Sequence, residues 1–231
     1  MSNKYPEIDH IWDIAELLRG DYKRSDYGKV ILPFTVLRRL DCVLAPTKAD
    51  VLEAAPEALK RGEKIAEIVL NTKAKQAFHN RSQFDFSNLL NDKKQLAANL
   101  SKYINSFSSN IREILEYFSF PVQIERLDRA DLLYRVIERF QRVDLHPAHV
   151  SIDAMGTIFE ELIRKFSEQS NETAGEHFTP REVIKLMVDL LFLNDREILS
   201  KAGIVRTLYD PACGTGGMLA VADDYLRKLN E

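Results

Sequence analysis

A chain of 231 residues and 26.5 kDa has room for one large domain or two modest ones and can bury a real core. With 45% hydrophobic and 29% charged residues and no apolar run long enough for a bilayer, the composition excludes disordered, collagen-like and membrane-spanning classes. The 32 Lys and Arg against 35 Asp and Glu leave a net charge of -3, which neither announces nor excludes nucleic-acid binding, because a local basic patch is enough.

The first residues carry Lys4, Glu7 and Asp9 and lack the apolar centre of a signal peptide, so a cytoplasmic protein is expected. A stripe of Ile8, Ile11, Trp12, Ala15 and Leu18 predicts a helix that stops at Gly20, where a left-handed residue suits a C-terminus. A second stripe, Tyr27, Val30, Ile31, Phe34, Leu37, Leu40 and Leu44, contains Pro33, and a kink or restart is expected there. Pro56 is expected to open a helix through Leu70, followed by helices over 89–104, 111–118, 124–140 and 151–166. Residues 1–166 therefore read as an all-helical domain without repeats. Two cysteines, Cys42 and Cys213, form no CxxC and suggest neither disulfide nor zinc site; both read as plain thiols, with Cys213 packed as a small side chain.

Residues 167–175 are polar and aperiodic and are expected to be a linker. After it, residues 176–231 change in character. A helix from Pro180 to about Leu193 and a short one at 196–201 precede Val205–Tyr209, a run of β-formers read as a strand. A glycine loop, Asp210-Pro211-Ala212-Cys213-Gly214-Thr215-Gly216-Gly217, then leads into a helix from Met218. Strand, glycine loop and helix in that order are the first βα unit of an α/β domain. Glycines let backbone approach a ligand, and free N–H groups at the next helix start favour an anionic or electron-rich group.

Leu219 stands where a dinucleotide fingerprint needs its third glycine, and no Lys-Ser/Thr follows as in a phosphate-binding P-loop. That argues against a nicotinamide-dependent oxidoreductase, as does the long helical prefix. Thr179, Pro180 and Glu182 form a capping box, and simple capping explains Thr179 and Glu182 taken alone. Asp210 could cap its own loop. Lys23, Arg24, Lys29, Arg38 and Arg39 could reach nucleic-acid phosphates or form a solvated face, and the lysine-rich stretch 60–102 has the same two readings.

The octet 210–217 resembles the first S-adenosyl-L-methionine (AdoMet) motif of N6-adenine DNA methylases, in the version found in modification subunits of type I restriction-modification systems. Gly175-Glu176-His177-Phe178-Thr179-Pro180-Arg181 is similar to the motif that precedes it in that family. Ile11-Trp12, Leu17–Gly20, Leu32-Pro33-Phe34 and Leu37–Leu40 resemble the helical N-terminal domain of the same subunits. The resemblance implies an all-helical N-terminal domain followed by the beginning of a Rossmann-like AdoMet-dependent methyltransferase domain. It implies cofactor contacts from Glu176, His177, Phe178, Thr179, Pro180, Arg181, Asp210, Pro211, Ala212, Gly214, Thr215, Gly216 and Gly217, with Phe178 and Thr179 at the methionine end and Asp210 near the cofactor's amino group. No proton transfer is assigned to His177. Implied partners are double-stranded DNA, a specificity subunit and a second methylase subunit, with a restriction subunit as an optional further one.

Enzymes of this class flip the target adenine out of the duplex and hold its amino group with an Asn/Asp-Pro-Pro-aromatic motif. The eight prolines here, at 6, 33, 46, 56, 121, 147, 180 and 211, include no adjacent pair. The expectation is thus the front part of a methylase subunit, truncated, inactive alone and weak in AdoMet affinity. The alternative is a helical interaction module that binds the specificity subunit, another methylase subunit or DNA without catalysis of its own.

Overall fold

The computed structural model describes residues 5–170, 179, 181–200, 205–213 and 216–230. The chain folds as two compact units, Met1–Ala174 and Gly175–Glu231.

In the first unit, α1 (Pro6–Leu18) buries Ile8, Ile11, Ala15 and Leu18, and Gly20 follows its end at φ +98° as the capping signal predicts. Helix α2 (Tyr27–Leu44) buries its whole predicted stripe and packs against α1, α7, α8 and α9. No restart occurs at Pro33. The proline takes one donor from the helix, yet Thr35 Oγ1 donates to the Ile31 carbonyl at 2.7 Å within the same turns, and tertiary packing on several sides carries the helix through. At the centre, the Phe34 ring lies edge-on to Phe120 at 4.8 Å and stacks on Phe140 at 5.5 Å.

The helix expected from Pro56 to Leu70 is two. Pro56 lies inside α3 (Lys48–Lys60), and α4 (Glu63–Ala74) starts afresh after Gly62, whose φ of +99° reverses the chain. Likewise 89–104 begins as two short 3-10 turns and becomes α5 (Leu96–Asn105). After α6 (Ser109–Tyr117), the expected helix over 124–140 divides into α7 (Phe120–Arg129) and α8 (Leu133–Gln141), broken where Asp131 adopts φ +54°.

The start of α6 is closed from outside. Glu67 of α4 accepts from the Ser109 N–H at 2.7 Å and from the Ser109 hydroxyl at 3.1 Å, which supplies an acceptor to an orphan donor of the first turn. These bonds hold the Glu67 carboxyl below its ordinary 4.5. Its contribution is therefore present above the ordinary glutamate range and lost as pH falls through the lowered folded value. Glu67→Ala is expected to cost about 1 kcal/mol at neutral pH, as loss of a helix cap does, with the difference from wild type closing on acidification. Urea titrations at two pH values check both.

Helix α9 (Ile152–Ser170) buries Ala154, Met155, Ile158 and Leu162 in the same core. Its Phe166 ring lies 5.2 Å from Trp12 and would touch a Cβ at Gly28 at 3.3 Å. That anchorage lets the helix continue to Ser170, so residues 167–170 of the expected linker are helical, and the remaining 171–175 lie outside the described residues.

The second unit contains α10 (Arg181–Phe192), α11 (Arg196–Leu199) and α12 (Gly217–Asn230). The fold class is mainly helical. Residues 205–209, read as a strand, form none, and no strand occurs among the described residues. A strand exists only as part of a ladder, and no second segment among the described residues pairs with these five.

Candidate functional site

Helices α10 and α12 pack through Ile184, Val188 and Phe192 on one side and Val221 and Ala222 on the other. Ile184 Cδ1 would lie 2.9 Å from a Cβ at Gly217, and the Phe192 ring stands 5.4 Å from that of Tyr225. Because the second contact lies equally far along both helices, they run parallel. Asn230 Nδ2 donates to the Leu199 carbonyl at 3.2 Å and ties their far ends to α11. Both N-termini therefore point the same way, side by side, and each follows one of the two motif strings. Two parallel sets of free N–H groups raise the positive potential at that end beyond what one helix supplies, which suits a carboxylate.

The loop into α12 is built tightly. The Asp210 Oδ1 accepts from the Ala212 N–H at 3.0 Å, so the loop-capping reading of Asp210 is present in the structure. Gly216 has φ +80°, and its N–H donates to the Cys213 carbonyl at 2.7 Å. Its own carbonyl then accepts from Ala220 at 2.9 Å and opens the helix. Gly217 is where bare backbone lets Ile184 in. Thr179 is exposed just before α10, and Pro211 and Ala212 are exposed beside Asp210. Glu176, His177, Phe178, Pro180, Gly214, Thr215 and the side chain of Arg181 lie outside the described residues. Cys213, expected to pack, is exposed. Among the described residues no group of His, Cys, Asp or Glu is arranged to hold a metal ion.

Arg38 and Arg39 are half-buried and donate to the protein's own carbonyls instead of forming a solvated face. Arg38 donates to the Val143 carbonyl at 2.9 Å, the Gln141 carbonyl at 3.2 Å and the Asp41 carboxylate at 2.9 Å. Arg39 donates to the carbonyls of Leu145 and Val150. The two arginines clamp the non-helical connector between α8 and α9 onto α2. Tyr103 completes the cluster by donating its hydroxyl to Asp41 at 2.8 Å. Burial pushes the Asp41 carboxyl above its usual range, against the opposing pull of Tyr103 and Arg38. The signal that was available is position: Arg38 and Arg39 sit between the buried Leu37 and Leu40 on a helix packed on several sides.

With this geometry in hand, comparison with known families is decisive. The family described as HsdM N-terminal domain matches residues 9–140, more than half of the sequence. The chain belongs to this family. Residues 150–231 match the family described as N-6 DNA Methylase, so the two family matches follow one another along the chain. The MjaIX methylase subunit of Methanocaldococcus jannaschii, named as a type I restriction enzyme subunit, is 25% identical over 96% of the chain and 40% of its own length. Type I methylase subunits EcoEI of Escherichia coli and MjaVIII of M. jannaschii are 35% and 31% identical over 42% and 58% of the chain, and 17% and 20% of their own lengths. The chain thus spans 40% or less of these curated relatives. Helix α9 belongs to the methylase match in sequence and to the HsdM N-terminal domain core in space. No helix among the described residues is long and apolar enough to cross a membrane.

Proposed function

We propose that this chain forms the helical domain and the entrance to the AdoMet site of a type I modification subunit. The complete enzyme transfers the methyl group of S-adenosyl-L-methionine to adenine N6 in double-stranded DNA. The observation that carries this reading is the parallel α10–α12 pair, which sets both motif-bearing helix starts at one end beside a left-handed Gly216. In this reading the α10 and α12 N-termini receive the ligand's carboxylate, Gly216 and Gly217 admit it to the backbone, and the Asp210 oxygen not used by the Ala212 N–H faces its amino group. The residues of the second string, Glu176 to Arg181, close the other side. When bound, AdoMet supplies an electrophilic methyl group; a base-holding Pro-Pro motif is lacking from these 231 residues, so transfer requires more protein than they contain.

Exposed apolar side chains in the second unit support the same reading. Leu186, Leu190 and Leu193 of the α10 region are 58%, 62% and 60% exposed, and Val205 is 91% exposed. So much apolar surface is a face that other structure covers. A specificity subunit that reads the DNA target and a second methylase subunit are the proposed partners, with a restriction subunit as a further one, in the cytoplasm. A helical module that binds those partners, with no use for the glycine loop, is the competing reading.

Calorimetry with AdoMet and pull-down with a specificity subunit separate the two. The expected result is weak but saturable AdoMet binding that Gly216→Val removes, since a β-branched residue in the left-handed region costs about 1–2 kcal/mol and blocks the backbone approach. Binding unchanged by that substitution refutes the cofactor site. Methyl transfer to DNA by the isolated chain refutes the assignment of catalysis to residues outside it.

A further inference from the structure

Away from the glycine loop, the helical unit holds a half-open cleft of about 680 Å³, within the range of small-ligand sites. It is walled by α2, α3, the segment after α4, α5 and the connector between α8 and α9. Three carboxylates line it at graded depth. The Asp41 side chain is 10% exposed at the floor, Asp85 is 29% exposed on the wall and Asp144 is 56% exposed at the mouth. Leu44, Val51 and Ala148 supply apolar surface between them.

The two cations in the lining are already committed to the protein. Arg38 is spent on Gln141, Val143 and Asp41, and Lys48 donates to the Phe84 carbonyl and, at 3.3 Å, to Asp85. What the cleft still offers is acceptor capacity. Each Asp41 oxygen has one donor, from Tyr103 or Arg38, and a carboxylate oxygen can take two. The Asp144 Oδ2 pairs with His149 Nδ1 at 2.5 Å, which leaves the second ring nitrogen of His149 as an acceptor in the neutral imidazole. Two cations against three carboxylates leave the ionised lining with one surplus negative charge. The carboxylates are staggered in depth instead of converging on a point, and no metal-holding group occurs among the described residues. Staggered acceptors joined by apolar wall match an extended donor-rich molecule.

We propose that this cleft binds a slender aliphatic di- or triamine, one ammonium reaching Asp41 and the next lying at Asp144, with methylenes along Leu44, Val51 and Ala148. The test is calorimetric titration of the full chain with spermidine and with putrescine at physiological salt, with magnesium chloride at equal ionic strength as reference. One saturable site is expected, binding spermidine at least about tenfold more tightly than magnesium, a gap that screened counter-ion attraction does not produce. Asp41→Asn removes the floor charge but also disturbs Arg38 and Tyr103. Ala148→Trp therefore serves as the second variant: it plugs the mouth from an exposed position and leaves every carboxylate in place. Weakening of spermidine binding by about tenfold or more in Ala148→Trp, with helicity unchanged by circular dichroism, supports the site. No heat with spermidine, equal affinity for magnesium, or full affinity in Ala148→Trp overturns it.

Discussion

Phe34→Ala is expected to destabilise the helical unit by about 3–5 kcal/mol, the range for deleting a fully buried aromatic ring. Phe34 is 0% exposed and holds Phe120 of α7 and Phe140 of α8 through one edge-on and one stacked contact. Removing it leaves a void among three helices from different parts of the chain, and none of them closes it without leaving its other partners. Since domains of this size are stable by roughly 5–15 kcal/mol, the variant sits near the folding threshold at 37 °C. Chemical denaturation followed by circular dichroism measures it. A loss under about 1.5 kcal/mol, the range for volume-conserving core changes, would show that the site repacks.

Arg38→Ala is the second large effect, at about 3–5 kcal/mol, because truncation leaves a buried charge without its partner. The pair is well desolvated, with Arg38 and Asp41 side chains 15% and 10% exposed. Two connector carbonyls lose their donor at the same time. The sign of the pH dependence follows from Asp41. Its folded-state value lies above the ordinary 3.8, so protonation favours the folded state and the benefit is lost as pH rises through that raised value. With Arg38 gone, the Asp41 value moves further up. The gap between variant and wild type is therefore expected to narrow on mild acidification, as for Glu67→Ala, but here through protonation at the raised value of Asp41 and not at a lowered one. Adding Asp41→Asn to the variant is expected to recover part of the loss, which a purely steric role for Arg38 would not allow.

The helical stripes were legible because burial on one face repeats at helical spacing, and every apolar residue of the Tyr27–Leu44 stripe is buried. Breaks inside helical stretches were harder to read. At Gly62 the residue type announces the turn, but at Asp131 a non-glycine residue takes positive φ where the α7–α8 corner demands it, and periodicity alone runs straight through. The strand at 205–209 was read from propensity, which reports what a segment suits and supplies no partner. In the glycine loop, residue types pointed to a close backbone approach, and the left-handed turn at Gly216 is a finding of the structure. The parallel course of α10 and α12 was not readable, since it depends on Ile184 meeting Gly217 across 33 positions of sequence. Arg38 and Arg39 were misread because charge suggests surface, whereas guanidinium groups with long apolar stems serve equally as donors to interior carbonyls.

Helix α9 matches the methylase family by sequence and completes the helical core by packing, so the evolutionary seam and the mechanical seam of this protein do not coincide. A piece excised at the family border, after residue 140, would leave Trp12 without the Phe166 ring and open the groove over Gly28. A helical piece that keeps this core has to include α9 through Phe166. By the same logic, exchanging methyltransferase domains between relatives at the family border would exchange part of the host's core as well. Recombination that preserves folding has to cross the chain beyond α9.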